Sequence, residues 1–441
     1  MKIPKNGTPR DELLARMEDA RSRDADWRHG KTWSLVYFAG DDVTDVLKAA
    51  YTKFFSENGL SPMAFQSLRT FEAEVVAIAA DLLGGGDEAA GSMTSGGSES
   101  ILMAVKTARD RARVEHPHVT RPEMLLPITV HPAFEKAAHY FSLTPVHVPV
   151  GDDYRVDLTA ARAAITDNTV LIVGSAPNYP YGVIDPIPEL AAIARERNIS
   201  CHVDACLGGF LLPFLRRLGE PVPPFDFSVP GVTSMSADVH KYGFAAKGAS
   251  TVLYRDREIR KHQFFVYPDW PGGLYGSPTM TGTRPGGAIA AAWAVLNYLG
   301  EEGYLNIARE IREITNRLID GINAIPDLTV RGTPQMSVFA FGSDTIDIYD
   351  VADRMERHGW NMDRLQRPPN LHLMITPTHK DVVGPFLADL AEAAAEAARG
   401  ATEGGTAAMY GALGTMPDRG RVGGSILSFM DGLDRIEERP L

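Results

Sequence analysis

The chain has 441 residues, of which 44% are hydrophobic and 23% charged, an ordinary composition for a globular protein with a large core. Its formal net charge of −12 argues against a nucleic-acid partner and against an anionic membrane surface. The two cysteines, Cys201 and Cys206, exclude a disulfide framework and are expected to be buried thiols in a reducing compartment, so we predict a cytoplasmic location. No apolar run approaches the roughly 20 residues that span a bilayer, and the first residues lack the apolar core of a signal peptide.

Helical and strand-like patterns alternate along most of the chain. Amphipathic helices are predicted at 11–21 and 41–55, and a further helix at 69–84. The next predicted strands are 125–130, 145–150, 170–174, 199–204, 233–237 and 250–254, with helices at 133–141, 158–165 and 186–197. This alternation predicts an α/β fold: a mostly parallel sheet covered on both faces, with a ligand at the carboxyl ends of the strands.

The last third of the chain is predicted to be a smaller α+β domain. A long helical stretch follows Gly286-Gly287, an alanine-rich helix covers 384–399, a linker is expected at Gly404-Gly405, and a last amphipathic segment at 424–435. We therefore expect three parts, which are an N-terminal helical segment (1–60), a large domain (61–290) and a small C-terminal domain (291–441).

A run of small residues from Gly91 to Ser100 leads directly into a helical pattern. The unpaired N–H groups and the positive dipole end of such a helix attract anions, and Gly97 allows close backbone approach. No Gly-Lys-Ser/Thr follows, so the run is not a Walker loop. Taken alone it also fits an ordinary loop with a helix cap.

Asp204 ends a short segment that is predicted to be a buried strand, since polar residues precede it and two glycines close it. A buried aspartate needs a cationic partner, and a pyridinium N–H would supply one. A helix cap or loop position is the alternative. A metal site of His202, Asp204 and Cys206, which share one strand face, lacks a second cluster of ligands.

Lys241 lies in the motif Asp-Val-His-Lys-Tyr-Gly, and a second lysine, Lys247, follows six residues later. A lysine that forms a Schiff base must be held in place and partly desolvated, so that its amine can be neutral. Because an ordinary lysine has a pKa of about 10.4, we expect neighbours to lower the pKa of Lys241. The small-residue run Gly91–Ser100 (the anion loop), Asp204 and Lys241 follow one another in this order, which predicts a site for pyridoxal 5'-phosphate.

Motifs over nearly the whole chain give it a family resemblance. They are Trp33–Tyr37, Thr94–Ser100, His131–Ala138, Ser175–Gly182, His202–Asp204, Asp238–Gly243, and 269–287. The chain resembles the soluble, bacterial-type sphingosine-1-phosphate lyases, within the decarboxylase-like enzymes of the aspartate aminotransferase fold (fold type I). The cofactor motifs alone fit any amino-acid decarboxylase of this group. The run Gly-Gly-Leu-Tyr-Gly-Ser-Pro-Thr at 272–279 and the Lys241/Lys247 pair favour the lyase branch.

This resemblance implies a role for each matching residue of the cofactor site. Lys241 would form the Schiff base, Asp204 would pair with the ring nitrogen, and His131 would stack on the ring. The cofactor phosphate would be held by Gly97, Ser98 and His240 and by Ser277 of the partner subunit, in a homodimer with shared active sites. The alternative for His131 is a histidine at a helix start that touches no ligand.

Three residues match positions near the substrate's phosphate in the family, namely Tyr37, Tyr179 and Lys247. Their alternatives are interface or core aromatics and a solvated lysine. The implied reaction is retro-aldol cleavage of the C2–C3 bond of a phosphorylated sphingoid base, which gives a long-chain aldehyde and phosphoethanolamine. The sequence does not identify the base that starts this cleavage. The chain departs from the family at Ser98, where threonine is common, and in lacking the membrane helix of the animal enzymes.

Several other assignments stay open at this point. The aromatic residues between 264 and 270 are predicted to be core or dimer interface, with the path of an alkyl chain as the alternative. His372 and His379 are interpreted as structural. The nearest rival function is a pyridoxal-dependent amino-acid decarboxylase, and the remote one is a non-catalytic protein that binds the cofactor.

Overall fold

A seven-stranded sheet forms the centre of the computed structural model, which describes residues 2–400, 414 and 416–433. Its strands are β1 (Ala90–Thr94), β2 (Glu123–Pro127), β3 (Thr144–Val148), β4 (Thr169–Ser175), β5 (Ser200–Asp204), β6 (Ser234–Ala237) and β7 (Ser250–Tyr254). They lie in the order β1-β7-β6-β5-β4-β2-β3. Strand β7 is antiparallel to both of its neighbours, and the other pairs are parallel, which confirms the mostly parallel sheet.

Helices cover both faces of this sheet. They include α1 (Arg10–Arg21), α2 (Asp41–Lys53), α3 (Gln66–Leu82), α4 (Gly97–Glu115), α5 (Ala133–Phe141), α6 (Leu158–Ala164), α7 (Ile187–Glu196), α8 (Leu212–Arg217) and α9 (Arg257–Arg260). Successive residues of one strand enter different cores, since Leu125 packs in one apolar cluster and Leu126 in another. Side chains alternate across a strand, so both faces of the sheet are buried.

The remaining elements form a hairpin and a second, smaller sheet. They are β8 (Phe265–Tyr267), β9 (Tyr275–Ser277), α10 (Gly286–Asn323), β10 (Thr329–Val330), β11 (Val338–Gly342), α11 (Ile348–Arg357), β12 (Asp363–Leu365), β13 (Asn370–Met374), α12 (Val383–Arg399) and α13 (Arg419–Gly432). Strands β10-β11-β13-β12 form a four-stranded antiparallel sheet. Helix α10 breaks at Gly300, whose φ of 56° suits glycine.

Residues 31–37 cross from the N-terminal helices to the smaller sheet. The Trp33 side chain is fully buried, and its ring stacks on the imidazole of His379 with centroids 4.1 Å apart. Its backbone carbonyl accepts a hydrogen bond from the Met374 N–H at 2.8 Å, and its own N–H donates to the Asn361 carbonyl at 3.0 Å. These contacts fix Ser34 and Tyr37, which follow directly, beside the smaller sheet.

Some predictions for individual elements are wrong. The predicted helix α1 is present, but it buries none of its residues against the described part of the chain, so it has no buried apolar face there. The first half of the small-residue run, Ala90–Thr94, is a strand, because it pairs with β7. Gly404-Gly405 lies outside the described residues. The three-part division stays a prediction, and α10 runs across its second boundary. Among the described residues, no helix is long and apolar enough to cross a membrane.

The buried titratable groups of the fold predict how stability depends on pH. Burial lowers the pKa of three histidines, His202, His372 and His379, to about 4. Unfolding returns them to an ordinary pKa near 6.5, so the unfolded chain binds three more protons in this window. Burial also raises the pKa of Asp185 to about 6, so the folded chain holds one extra proton there. The stability due to neutral histidines is therefore present above pH 6.5 and is lost as the pH falls toward 4.

We expect the free energy of unfolding to fall by about 3 kcal/mol per pH unit between roughly pH 6 and pH 4, since the difference is about two protons. Melting temperatures measured across this range would follow the loss. A His379→Gln variant should show a shallower dependence, by about one proton. A melting temperature that stays level from pH 6.5 to pH 4 would contradict this account.

Candidate active site

A cavity of about 420 Å³ opens where β4, β5 and β6 end at their carboxyl edges. Parallel strands bring their ends to one edge of a sheet, which is where ligands bind in folds of this kind. The cavity brings together a set of residues that the sequence predicted as site residues: Gly97, Ser98, His131, Tyr179, Asp204, His240 and Lys241. The segments that carry them are far apart in the chain, so this convergence supports the predicted site.

Lys241 lies in the turn after β6, and its Nζ forms an ion pair with Asp238 Oδ2 at 2.9 Å. Burial lowers the pKa of Lys241, but the Asp238 carboxylate outweighs burial, so the pKa is raised above its ordinary value. The expectation that neighbours lower this pKa is therefore wrong. Asp238 belonged to the motif around Lys241, yet no feature of the motif assigned this role to it.

Asp204 is held rigidly at the end of β5. Its Oδ1 accepts hydrogen bonds from the Cys206 N–H at 3.0 Å and from Ser236 Oγ at 3.2 Å. Within the described part of the chain, Oδ2 accepts no hydrogen bond, so it can receive a ring N–H from a ligand in the cavity. The His202 ring is hydrogen-bonded to Ser234 Oγ at 2.9 Å and to Ser236 Oγ at 3.2 Å, which ties it to β6.

The start of helix α4 fits a phosphate group. Its N-cap, Gly96, offers no side-chain acceptor, so the first N–H groups of the helix are left for an anion. A Cβ on Gly97 would lie 2.7 Å from Asp238 Oδ2 and 2.9 Å from Cys206 Sγ, so this position has no room for a side chain. His240 lines the same cavity, and its Nδ1 accepts a hydrogen bond from the Ala249 N–H at 3.2 Å.

His131 lies near the start of a helix and also lines the cavity, so its stacking on the cofactor ring stays a prediction. It immediately precedes helix α5, and its Nδ1 accepts a hydrogen bond from the Ala133 N–H at 3.1 Å. The same ring also lines the cavity. The hydrogen bond to the helix start fixes the orientation of the ring that faces the ligand space.

Lys247 and Tyr37 lie together beside the cavity. The Lys247 ammonium is 4.8 Å from the centre of the Tyr37 ring, and it donates to the Leu35 carbonyl at 3.1 Å. Lys247 is exposed on its outer side, yet partial burial against the protein and repulsion from Lys241 lower its pKa to about 8. The amine with a lowered pKa is therefore Lys247. The Tyr37 ring packs edge-on against Tyr242 with centroids 5.0 Å apart.

Two acidic residues that sequence reasoning missed hold the site together. The Tyr179 hydroxyl donates to Asp363 Oδ2 at 2.7 Å, across 184 positions of sequence. Glu99 accepts hydrogen bonds from the Ser95 N–H at 2.7 Å and from the Met280 N–H at 2.9 Å. Glu99 thus joins the anion loop to the segment after β9. No local pattern marks the contact of Tyr179 with Asp363 or that of Met280 with Glu99, because each joins elements that are distant in the chain.

Ser277 does not line the cavity of its own subunit. It is buried at the end of β9, where its Oγ donates to the Thr279 carbonyl at 3.0 Å. The hairpin around it exposes large apolar side chains, namely Phe264, Phe265, Val266, Tyr267, Trp270 and Leu274. The core alternative for the aromatic residues of this region is therefore wrong. His372 and His379 are both buried, in agreement with a structural role.

Comparisons with known proteins identify the class. Residues 37–342 match the family described as the pyridoxal-dependent decarboxylase conserved domain. The chain therefore belongs to the pyridoxal-dependent decarboxylase family, and pyridoxal 5'-phosphate is its cofactor. The solved structure of Lactobacillus brevis glutamate decarboxylase has the same fold, with a TM-score of 0.79 at 19% identity over 91% of this chain and 96% of that one.

Within this family, the chain belongs to the sphingosine-1-phosphate lyases. The sphingosine-1-phosphate lyase of Arabidopsis thaliana is 49% identical to it, over 95% of this chain and 79% of that protein. A probable sphingosine-1-phosphate lyase of Legionella pneumophila is 35% identical, over 93% and 69%. The solved sphingosine-1-phosphate lyase of Burkholderia pseudomallei is 39% identical, with a TM-score of 0.91 over 99% of this chain and 98% of that one. The predicted fold type I architecture is thereby confirmed.

A Gly97→Ala substitution should weaken retention of the cofactor. The added methyl group would push the Asp238 carboxylate away from Lys241 and would crowd the start of α4. We expect the affinity for pyridoxal 5'-phosphate to fall on the order of 10-fold or more, which corresponds to one charge-assisted hydrogen bond. The visible absorbance of the bound cofactor, followed while cofactor is added to the cofactor-free protein, measures this affinity. Gly384→Ala, whose Cβ would meet no atom within 4 Å, is the control. Equal affinities of the two variants for pyridoxal 5'-phosphate would refute the proposed phosphate site at the start of α4.

Proposed function

We propose that this protein is a pyridoxal-dependent carbon–carbon lyase that cleaves the C2–C3 bond of phosphorylated sphingoid bases, giving a long-chain aldehyde and phosphoethanolamine. Its membership of the sphingosine-1-phosphate lyases supports this function. The structural observation that carries it is the second amine, Lys247, whose Nζ donates to the carbonyl of His240, next to Lys241, at 3.4 Å, and whose pKa is lowered by burial and by the charge of Lys241. A phosphorylated substrate needs such a cation beyond the cofactor, whereas a decarboxylase needs a partner for a substrate carboxylate.

We assign most contacts of the cofactor to residues that line the cavity. When bound, pyridoxal 5'-phosphate supplies an electron sink for the pair released from the broken bond. Lys241 would anchor it covalently, Asp204 would accept its ring N–H, and His131 would cover one ring face. Its phosphate would be held at the start of α4 by Gly97, Ser98 and His240.

We assign Lys247 and Tyr37 to the phosphate of the substrate. With a pKa of about 8, Lys247 is mostly protonated at neutral pH, and an approaching phosphate dianion would stabilise its charge further. The Tyr37 ring holds the lysine chain through the cation–π contact, and its hydroxyl is the second donor. Tyr179, which lines the cavity, is also assigned to binding of the substrate.

We infer a homodimer in which Ser277 of the partner subunit completes each cofactor site. Two observations support this assembly. Ser277 does not line its own subunit's cavity, and the hairpin β8–β9 exposes an apolar surface that a second copy would cover. A cytoplasmic location is proposed from the two buried free thiols, Cys201 and Cys206, which a reducing compartment preserves.

A product assay tests the lyase function against its rivals. The purified protein with bound cofactor is incubated with a phosphorylated sphingoid base and, in separate reactions, with glutamate, tyrosine and aspartate. We expect long-chain aldehyde from the first reaction and no CO₂ from the others. Release of CO₂ without aldehyde would establish the decarboxylase instead. The absence of both products would favour the non-catalytic protein.

Lys247→Ala should reduce turnover of the phosphorylated base by about 10–100-fold, because a charge-assisted contact to phosphate contributes roughly 1.5–3 kcal/mol. The visible absorbance of bound cofactor should be retained, since Lys241 is intact. Tyr37→Phe should cost less, because a neutral hydroxyl is the weaker donor. Lys136→Ala is the matched control, since this lysine also lies over a tyrosine ring, that of Tyr140 at 5.5 Å, but does not line the cavity. Unchanged turnover by the Lys247→Ala variant would show that the substrate phosphate does not bind at Lys247.

Two inactive variants should complement each other if the active sites are shared. Lys241→Ala removes the anchor of one site, and Ser277→Asp brings a negative charge to the cofactor phosphate of the partner's site. A mixed dimer of the two then keeps one intact site. After random subunit exchange, about one quarter of the parent activity should return. No recovery in a sample that contains proven mixed dimers would exclude shared sites.

A further inference from the structure

Tyr179 lies between the cofactor cavity and a second, larger cavity. The second cavity has a volume of about 770 Å³, and its lining includes the apolar side chains of Ile128, Val130, Val150 and Leu365. Tyr179 and His131 line both cavities. In a sphingoid base, C3 is the carbon that joins the reacting C2 to the alkyl chain. A residue at the junction of the two cavities is therefore placed to meet C3.

We propose that Tyr179 is the group that receives the proton of the C3 hydroxyl, and that Asp363 is the positioning residue that makes this transfer possible. The proposal rests on the proposed lyase function and names the base that the sequence left unidentified. It depends on the direction of one hydrogen bond, on the charge state around Asp363, and on the fixed orientation of the Tyr179 ring.

The hydrogen bond to Asp363 commits the single proton of the Tyr179 hydroxyl. A carboxylate only accepts, so at 2.7 Å the tyrosine proton points at Asp363 Oδ2. Asp363 Oδ1 is engaged by Ser34 Oγ at 3.2 Å. Toward the cavities, the tyrosine oxygen therefore presents lone pairs. It suits a substrate donor such as the C3 hydroxyl, and it does not suit a phosphate, which is itself an acceptor.

No cation forms an ion pair with Asp363 among the residues that the structure describes. The neighbouring Arg364 is engaged by Asp353 at 2.7 Å and by Glu356 at 2.6 Å. His372 lies opposite Asp363 in the β12–β13 register, but burial lowers its pKa to about 4, so it is neutral at neutral pH. The Asp363 carboxylate thus accepts hydrogen bonds from two hydroxyl groups, those of Ser34 and Tyr179, and has no cationic partner among the described residues.

The Tyr179 ring is also held in orientation. It stacks on the His372 ring with centroids 4.3 Å apart and an interplanar angle of 30°. His372 Nε2 donates to the backbone carbonyl of Tyr179 at 2.9 Å. Stacking, backbone hydrogen bond and carboxylate fix the hydroxyl from three sides, which is the preorganisation that proton transfer requires.

The proton transfer balances without a further reactant. The C3 hydroxyl proton moves to Tyr179 Oη as the tyrosine's own proton moves to Asp363 Oδ2. The electron pair of that O–H bond forms the carbonyl of the aldehyde, and the C2–C3 bond breaks. Its electron pair stays with the C2 fragment, which takes up a proton to become phosphoethanolamine. The proton on Asp363 returns to solvent after the aldehyde leaves.

Asp363→Asn tests the proposal, because asparagine keeps an acceptor of the same shape but cannot hold the proton. We expect kcat for aldehyde release to fall on the order of 100-fold. A substrate analogue without the C3 hydroxyl should bind within about 3-fold of its parent affinity, measured from the absorbance of bound cofactor. Tyr179→Phe should show the same pattern, and the double variant should be no slower than the slower single variant, since the two groups act in series. Asp42→Asn is the matched control, since Asp42 accepts a hydrogen bond from the Tyr298 hydroxyl at 3.2 Å on the surface.

The outcomes separate this proposal from the lyase function. If the parent releases aldehyde and Asp363→Asn does so within about 3-fold of its rate, the role of Asp363 is wrong and the lyase function stands. Losses that multiply in the double variant also overturn it. If the Asp363→Asn variant shows no cooperative thermal unfolding, it is not folded and the test uses Tyr179→Phe instead. An unchanged kcat in Tyr179→Phe then overturns the proposal. If the parent releases no aldehyde, the lyase function is wrong and this proposal is wrong with it.

Discussion

The buried ion pair between Lys241 and Asp238 is the interaction on which the rest of the site depends. Asp238 is 1% exposed, and a buried carboxylate that loses its partner costs several kcal/mol. The pair holds the Lys241 amine at one point of the cavity and keeps it charged. That charge in turn repels Lys247 and lowers its pKa. This ion pair therefore keeps Lys241 charged and adds to the effect of burial on Lys247, and the missing side chain of Gly97 leaves room for the pair.

Around this ion pair, the strands of the large sheet hold the reactive side chains in fixed positions, and the loops that follow the strands carry most of these side chains. Asp204 and Asp238 each come from the carboxyl end of a parallel strand, which fixes their separation. Glu99 links the anion loop to the segment after β9, so the cofactor cradle and the proposed dimer-forming hairpin share one hydrogen-bonded anchor. Through Glu99, the phosphate-binding loop of one subunit and the hairpin proposed to contact the second subunit are held in place together.

The smaller sheet contributes the other wall of the site. Asp363 on β12 and His372 on β13 hold Tyr179 by its hydroxyl and by its ring. Trp33, stacked on His379, brings the N-terminal segment to the same place and with it Tyr37. Three distant parts of the chain therefore meet at the substrate side of the cavity, whereas the cofactor side is built from the large sheet and the helices that follow its strands.

The sequence by itself determined the element types, the order of anion loop, aspartate and lysine, and the family, because each is written in local residue patterns. Hydrophobic periodicity predicted β5 and α5, and the motif around Lys241 predicted the cofactor lysine. Only the tertiary structure decided which lysine has the lowered pKa, because that depends on burial and on the distance and sign of neighbouring charges. It also decided the contact between Tyr179 and Asp363, which lie 184 positions apart and meet only when the smaller sheet packs against the cavity.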